Sequence, residues 1–272
     1  MTVAEPTPTP QEGDLDPSGQ WKLVNGAWVP AADESDATAR YITMLIHAES
    51  KVGKTWLGDT GPAPRLILDA EAGGIRFTPS KKIWWDPLVQ PMPVADGTWD
   101  TCIVRCRSIA TLSSIFNILN TGQHPFRSVT MDSVMEIQEY AKADISATRQ
   151  MDQQQWGTLA TTLEDLVRKF RDLTEHPTNP LNAVIYVCGT RLRDGLMRPL
   201  LDGKIVIKLP YLVDCCGYLY TQRDESGELR RALCIEPGGI AVAGNRFGGR
   251  LPGVVWDPNV STMLDTLYGA EG

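Results

Sequence analysis

Residues 48–55 combine small, basic and hydroxyl side chains in a pattern that binds phosphate. The run reads Ala-Glu-Ser-Lys-Val-Gly-Lys-Thr and follows an apolar run at residues 41–46. Its spacing is that of G-x-x-x-x-G-K-[ST], with Ala48 in place of the first glycine. Backbone N–H groups of such a loop surround phosphate oxygens at a helix N-terminus, where the helix dipole favours anions. The segment therefore predicts a phosphate-binding loop, or P-loop, between a strand and a helix.

The P-loop predicts ATP and Mg²⁺ as ligands. We expect Lys54 to reach the β- and γ-phosphates and assist catalysis, and the Thr55 hydroxyl to bind Mg²⁺. Alanine at position 48 is tolerated if its φ is negative and strained if its φ is positive. The predicted nucleotide-binding residues are Ala48, Glu49, Ser50, Lys51, Val52, Gly53, Lys54, Thr55 and Trp56.

Acidic side chains follow two further apolar runs. Asp69 and Glu71 come directly after residues 66–68, and Asp132 ends the run at 128–131. Ligands of open α/β sheets bind at the carboxyl ends of the strands. Glu71 is therefore the candidate base that activates water, although solvated loop acids are the alternative. Asp132 fits the Walker B pattern, in which a carboxylate holds Mg²⁺ through water.

A third apolar run, residues 183–188, ends in polar side chains. Thr190 and Arg191 follow it, at the place where a sensor of the γ-phosphate is expected. An ordinary strand end is the alternative.

Strand-like and helical patterns alternate along residues 41–188. The helical stripes cover 109–119 and 159–173, and the strands between them are almost continuously apolar. This alternation predicts an α/β fold whose mostly parallel central sheet is flanked by helices. Beyond Lys204, four short runs predict antiparallel strands added at the C-terminal side. Those runs are residues 205–209, 217–222, 230–235 and 239–243.

Composition divides the chain into a tail and a body. Residues 1–20 are rich in Pro, Thr and acids and predict a disordered tail; residues 21–40 predict a short hairpin around Asn25-Gly26, or a linker. Residues 41–268 then form the predicted ATPase domain. Residues 1–40 contain seven acidic and two basic residues, so they carry −5 of the net charge of −7.

The rest of the composition predicts a cytoplasmic location. No apolar run approaches the ~20 residues of a membrane span, and the N-terminus lacks the pattern of a secretory signal. The six cysteines lack C-x-x-C pairs, which predicts reduced core residues.

These motifs together resemble the core of RecA. The shared features are Asp69-Ala-Glu71, Asp132-Ser-Val134 and an Ile-Tyr-Val-x-x-x-Arg strand that ends at Arg191. The Lys-x-Gly-Lys-Thr form of the P-loop and Trp156-Gly157 before the long helical stripe are closer to phage RecA-like ATPases. That group includes Sak-type single-strand annealing recombinases and phage nucleotide-binding proteins. The resemblance covers about residues 41–250.

The resemblance implies a RecA-like fold and ATP-driven assembly of a ring or filament on single-stranded DNA, with nucleotide between subunits. It also implies a bacterial host cytoplasm if the chain is phage-encoded, and a single-strand binding or replication protein as a possible further partner. RecA has a glutamine at the end of its sensor strand, which couples ATP to DNA. Gly189 stands near that position here, which puts this route of coupling in doubt.

RecA-like proteins carry a DNA-binding loop after the sensor strand, and residues 191–208 hold five basic and two acidic residues. The predicted phosphate contacts are Arg191, Arg193, Arg198 and Lys204. No aromatic residue interleaves them, so the sequence does not indicate base stacking. A solvated hairpin or a subunit contact is the alternative. The polar segment 142–155 is a candidate for a second loop at the ring axis.

Arg246, in a Gly-rich turn, is the candidate finger that stabilises phosphate charge in a neighbouring subunit. A structural turn arginine is the alternative.

Three functions fit these features. The first is an ATP-dependent, single-stranded-DNA-binding ATPase of phage-type recombination or annealing. The second is an ATP-switched assembly protein, of the helicase-loader or packaging type, that acts on a protein partner. The third, a small-molecule kinase, is disfavoured because Asp69-Ala-Glu71 suits water activation better.

Overall fold

The computed structural model describes residues 11, 21–24, 27–30, 40–146, 151–224 and 226–269. The chain divides into two compact units, residues 1–39 and 40–272. In the first unit, β1 (Trp21–Val24) pairs antiparallel with β2 (Ala27–Pro30). The predicted Asn25-Gly26 turn lies outside the described residues, as does the predicted tail apart from Gln11.

The second unit is built on one large sheet. Its strands are β3 (Ile42–Ala48), β4 (Arg65–Asp69), β5 (Lys82–Trp84), β6 (Thr101–Arg105), β7 (Ser128–Asp132), β8 (Ala183–Arg193), β9 (Leu196–Pro199), β10 (Cys215–Arg223), β11 (Leu229–Cys234), β12 (Gly244–Asn245) and β13 (Val254–Trp256). The parallel part has the order β10-β3-β8-β7-β4-β6-β5. Strands β9, β11, β12 and β13 are antiparallel additions.

Helices cover both faces of this sheet. They are α1 (Lys54–Gly58), α2 (Ile109–Leu119), α3 (Val134–Ile145), α4 (Gln153–Asp172), α5 (Ile205–Leu212) and α6 (Val260–Tyr268). One core joins apolar side chains of α2, α3, α4 and α5 to one face, and a second core joins α1 and α6 to the other. The predicted α/β fold, with a mostly parallel sheet, flanking helices and antiparallel additions, is confirmed.

Several elements after residue 132 differ from the prediction. Residues 205–209, predicted as a strand, begin α5, because Ile205, Leu209 and Leu212 point into the core at helical spacing. Short apolar runs satisfy both periods, so the sequence did not separate the two structures. Residues 239–243 form only an isolated bridge at Ala241.

The direction of β10 is a second difference. It is antiparallel to β11 and β12, as predicted, but it is parallel to β3, because α5 returns the chain across one face of the sheet before β10 begins. Helix α3 was not predicted. The polar segment 142–155 contains the end of α3 and the start of α4, and residues 147–150 lie outside the described part.

Strand β8 extends beyond its predicted end and forms a hairpin with β9. Asp194 (φ 52°) and Gly195 (φ 76°) make the tight turn, and an Asp-Gly pair is a strong sequence indicator of such a turn. All six cysteines are unpaired, and all but Cys234 are buried, in agreement with the prediction. None of the described helices is long and apolar enough to cross a membrane.

Candidate nucleotide-binding site

The P-loop begins at the end of β3 and leads into α1. Ala48 is the last residue of β3 and is fully buried, with the extended backbone of a strand. A methyl group at this position therefore causes no strain. Positive φ values occur later in the loop, at Lys51 (66°) and Gly53 (110°).

Gly53 is required by both its backbone and its surroundings. A Cβ atom there would lie 2.6 Å from Nε of Arg231, a residue of β11. That Nε donates a hydrogen bond to the backbone oxygen of Val52 at 3.1 Å, and the guanidinium carbon lies 4.8 Å from the ring centroid of Trp56. Arg231 thus holds the P-loop from a neighbouring hairpin. No sequence motif marks Arg231, so its role was not predicted.

The Lys54 ammonium group lies inside the loop. Its Nζ donates to the backbone oxygens of Ala48 (3.2 Å) and Glu49 (2.8 Å). Burial lowers the pKa of Lys54, and the nearby carboxylates of Glu71 and Asp132 oppose that shift. The residue is therefore placed beside both acids that were predicted to act with it.

Thr55 and Asp132 meet where α1 faces the end of β7. The Thr55 hydroxyl donates to Oδ2 of Asp132 at 2.5 Å. Asp132 is only 4% exposed, and burial raises its pKa to about 6, with smaller upward contributions from Glu71 and Asp69. The Thr55 hydrogen bond and Lys54 act in the opposite direction. These two predicted Mg²⁺ ligands are thus brought together.

A second acidic pair lies at the end of β4, which is paired in register with β7. Asp69 accepts a hydrogen bond at Oδ1 from the backbone N–H of Ala72 (2.9 Å), while its buried Oδ2 has no hydrogen-bond partner. Glu71 is exposed, and its Oε1 accepts from the hydroxyl of Ser133 at 2.5 Å. Ser133, which also caps α3, is a site residue that the sequence analysis did not select.

This donor set fits a magnesium ion. Carboxylate and hydroxyl oxygens are the ligands that Mg²⁺ prefers, and an unpartnered buried carboxylate oxygen is costly without a cation nearby. Thr55 and Asp132 would hold the ion, and Asp69 lies beside them in the sheet. The ion would neutralise charge on transferring phosphates.

The AAA-domain family matches residues 40–247, a range that contains every predicted site residue. The chain belongs to this family, within the P-loop ATPases. No curated protein matches the chain. The family supports nucleotide binding and ATPase chemistry, and it agrees with the geometry of Lys54, Thr55 and Asp132.

Gly189, near the predicted sensor position, leaves little room for a side chain. Gly189 is paired in register with Ala48, and a Cβ atom there would lie 3.2 Å from both Leu200 Cδ2 and Met135 Sδ. A glutamine at this position would require those neighbours to move. The glutamine of the RecA coupling route is therefore absent here, and its position is closely packed.

His47, next to Ala48, makes the connection between β3 and the β8–β9 hairpin. Its Nε2 lies 2.8 Å from the backbone oxygen of Val242, so Nε2 is the donor. Its Nδ1 lies 3.0 Å from the hydroxyl of Thr190, which is also 3.0 Å from the backbone oxygen of Arg198. Burial lowers the pKa of His47 to about 4, so the ring is neutral. The hydroxyl of Thr190, a candidate sensor, thus faces His47 and the hairpin.

The hairpin forms one wall of a cavity of about 710 Å³, which we call the basic cavity. Four arginines line it: Arg191, Arg193, Arg198 and Arg246. The first three are predicted DNA contacts and the fourth is the predicted trans finger, so residues with two different predicted roles line one cavity. Lys204, the fourth predicted DNA contact, is exposed at the start of α5 and does not line the cavity.

Only some of the hydrogen-bond donors of the arginines in the basic cavity have a partner within the protein. Arg191 donates to the backbone oxygen of Leu201 at 2.7 Å and lies 3.5 Å from Asp202. The Nε atoms of Arg191 and Arg198 are nevertheless buried without a hydrogen-bond partner. Arg246 donates to the backbone oxygen of Tyr211 at 2.7 Å. The donors that an anion in this cavity can reach belong to the more exposed side chains, Arg193 (65% exposed) and Arg246 (62% exposed).

Proposed function

We propose that this AAA domain is an ATPase that binds single-stranded DNA and acts on it, in an ATP-dependent manner, in phage-type recombination or annealing. The observation that carries the proposal is the convergence of four arginines on one cavity. Three of them belong to a hairpin that continues β8, the strand beside the P-loop strand. A basic site next to a nucleotide site is the arrangement that an ATP-controlled DNA-binding protein requires.

The nucleotide half of the proposal assigns a role to each acidic and basic side chain. The P-loop wraps the phosphates and Lys54 binds their charge, while Thr55 and Asp132 hold Mg²⁺. Glu71 orients the attacking water and accepts its proton at the carboxylate. Ser133, hydrogen-bonded to Glu71, positions that carboxylate.

The DNA half assigns Arg191, Arg193 and Arg198 to phosphates of the strand. Such contacts are independent of base sequence and weaken steeply with salt. Lys204 would contribute a phosphate contact from outside the basic cavity. Assembly into a homo-oligomeric ring or filament, with a single-strand binding or replication protein as a further partner, belongs to the same proposal.

The test is ATP hydrolysis and strand binding by the full chain. We expect ATP hydrolysis to depend on Mg²⁺ and to be stimulated by a thymidine oligonucleotide, and the strand to be bound in low salt. Electron microscopy with ATP, with and without the strand, will show whether a ring or filament forms. ATP hydrolysis that is unaffected by the strand, together with no binding in low salt, would refute the DNA half.

A second candidate, an ATP-switched assembly protein acting on a protein partner, is favoured by a separate observation. The segment between β4 and β6 exposes large apolar side chains, namely Phe77 (84%), Leu88 (70%), Val89 (77%) and Val94 (77%). Apolar surface of this kind marks protein contacts. Capture of a stoichiometric protein partner that is lost in a Leu88→Ser, Val89→Ser variant, with no retention of DNA, would favour this function.

A further inference from the structure

The basic cavity contains an aromatic side chain that the sequence analysis did not associate with DNA. Tyr211 lines it together with the four arginines and is 75% exposed. Residues 205–212 form helix α5, although a strand was predicted for residues 205–209, and this helix explains why Tyr211 lines the cavity. As a helix, the segment buries Ile205, Leu209 and Leu212 and turns Ile207 (65% exposed) and Tyr211 outward.

Tyr211 and Arg246 are held together. The backbone oxygen of Tyr211 accepts a hydrogen bond of 2.7 Å from Nη2 of Arg246, whose Nη1 lies 3.6 Å from Asp214. These contacts hold the Arg246 guanidinium against the last turn of α5, which carries the exposed ring of Tyr211. The other carboxylate oxygen of Asp214 is already hydrogen-bonded, because Oδ2 accepts from the N–H and the hydroxyl of Thr43.

The charge of the basic cavity favours a polyanion. Four arginines against Asp194, Asp214 and Asp202, which pairs with Arg191, give a local charge of +1, within a chain of net charge −7. The side chains of Arg193 and Arg246 are 65% and 62% exposed, so their guanidinium groups can donate to phosphate oxygens, which are strong acceptors. An exposed aromatic ring beside such donors is the combination by which proteins bind single strands.

We infer that the basic cavity binds the bases of single-stranded DNA as well as its phosphates. Tyr211 stacks on a base, and Arg246 contacts a phosphate of the same strand instead of acting as a trans finger. The inference rests on the proposed function and adds selectivity to it. Bases of a duplex are already stacked on each other, so a stacking ring favours single strands over duplex DNA.

The experiment compares two fluorescein-labelled strands of equal length, one of thymidines and one abasic. The abasic strand keeps the phosphates and lacks the bases. We expect the wild type to bind the thymidine strand about 5- to 150-fold more tightly, the range typical of stacking on one aromatic side chain. Tyr211→Ala should remove this preference while binding the abasic strand as the wild type does, and Tyr211→Phe should keep it.

Arg246 is tested by salt dependence. Arg246→Ala should weaken binding of both strands and reduce the slope of log K against log salt by about one. Lys208→Ala is the control, because it removes an exposed charge from the same helix, where Lys208 pairs with Glu164. It should leave the preference for bases unchanged.

Three results would overturn parts of the inference. A Tyr211→Ala variant that keeps the preference for the thymidine strand would refute stacking while leaving phosphate binding in place. If Arg246→Ala binds both strands as the wild type does but hydrolyses ATP only at the level of Lys54→Ala, the role of Arg246 as a trans finger would be supported instead. Failure of the wild type to bind either strand would refute the DNA half of the proposed function, on which the inference rests.

Discussion

Glu71 and Lys54 lie in the same site and have different expected roles. Lys54→Ala removes the charge held within the P-loop, so we expect productive ATP binding to be lost. Glu71→Gln keeps the shape and its contact with Ser133 but removes the base, so binding should persist and hydrolysis should slow by ~10² or more. A fluorescent ATP analogue and phosphate release measure the two steps separately.

Ser133→Ala tests the position of Glu71 without removing it. Since Ser133 donates to Glu71, the variant should lower the rate of hydrolysis less than Glu71→Gln does. Hydrolysis at the wild-type rate in Glu71→Gln would contradict the assignment. The next acid to test would then be Glu136, in the first turn of α3.

The lowered pKa of His47 predicts that the free energy of unfolding depends on pH. Its pKa is about 4 in the folded protein and about 6.5 in an unfolded chain, so the folded state binds fewer protons between those values. The contribution of His47 to stability should therefore fall as pH drops below about 6.5, by about 2 kcal/mol at pH 5, whereas Asp132, whose pKa is raised to about 6, contributes in the opposite direction. Urea unfolding at pH 7 and pH 5 measures the change.

His47→Gln is the matched variant, because it removes the titration and keeps a polar side chain between β3 and the hairpin. We expect its stability to fall less between pH 7 and pH 5 than that of the wild type. Equal losses in the two proteins would assign the pH dependence to other groups.

At the scale of elements, the β10–β11 hairpin supports the P-loop through Arg231. Arg231→Ala removes a hydrogen bond to Val52 and a cation–π contact with Trp56, which together contribute about 1–2 kcal/mol. We expect ATP to bind about 5- to 30-fold more weakly, since binding must then order the loop. Titration calorimetry with a non-hydrolysable ATP analogue measures this change.

Arg230→Ala is the control for this effect. Arg230 also makes an ion pair, with Asp257, and a cation–π contact, with Trp256, but neither partner belongs to the P-loop. Its loss should leave ATP affinity unchanged. Similar losses of affinity in both variants would indicate a general weakening of the hairpin.

At the scale of the whole molecule, charge is separated between the two units. Residues 1–39 hold seven acidic residues and one basic residue, so they carry −6 of the −7 and leave −1 on residues 40–272. Like charges repel, so removing residues 1–39 should strengthen binding of single-stranded DNA at low salt and have little effect at high salt. Fluorescence anisotropy at two salt concentrations tests this.

ATP affinity is the internal control for the truncation. All predicted site residues lie in residues 40–272, which contain their own core, so the shortened chain should bind ATP as the full chain does. Weaker binding of both ATP and DNA would mean that the first unit is needed for the fold of the second.

The agreement between predicted and observed secondary structure differed along the chain. Helix α2 was predicted with its observed bounds, because its apolar side chains recur at an unambiguous helical spacing. Helix α5 was predicted as a strand, because Ile205–Leu209 fits either period and only the sheet beneath it decides which side chains are buried. Because this segment was predicted as a strand, Tyr211 was not predicted to lie in the same cavity as the arginines.

The sequence by itself predicted the candidate nucleotide site of this AAA domain. Consecutive backbone N–H groups of one loop form that site, and the acids that complete it stand at strand ends, so local spacing was sufficient. The tertiary structure alone decided which distant residues support it. Arg231 meets Val52 across 179 residues, and His47 meets Val242 across 195. Such contacts follow from the order of strands in the sheet, which no local pattern encodes.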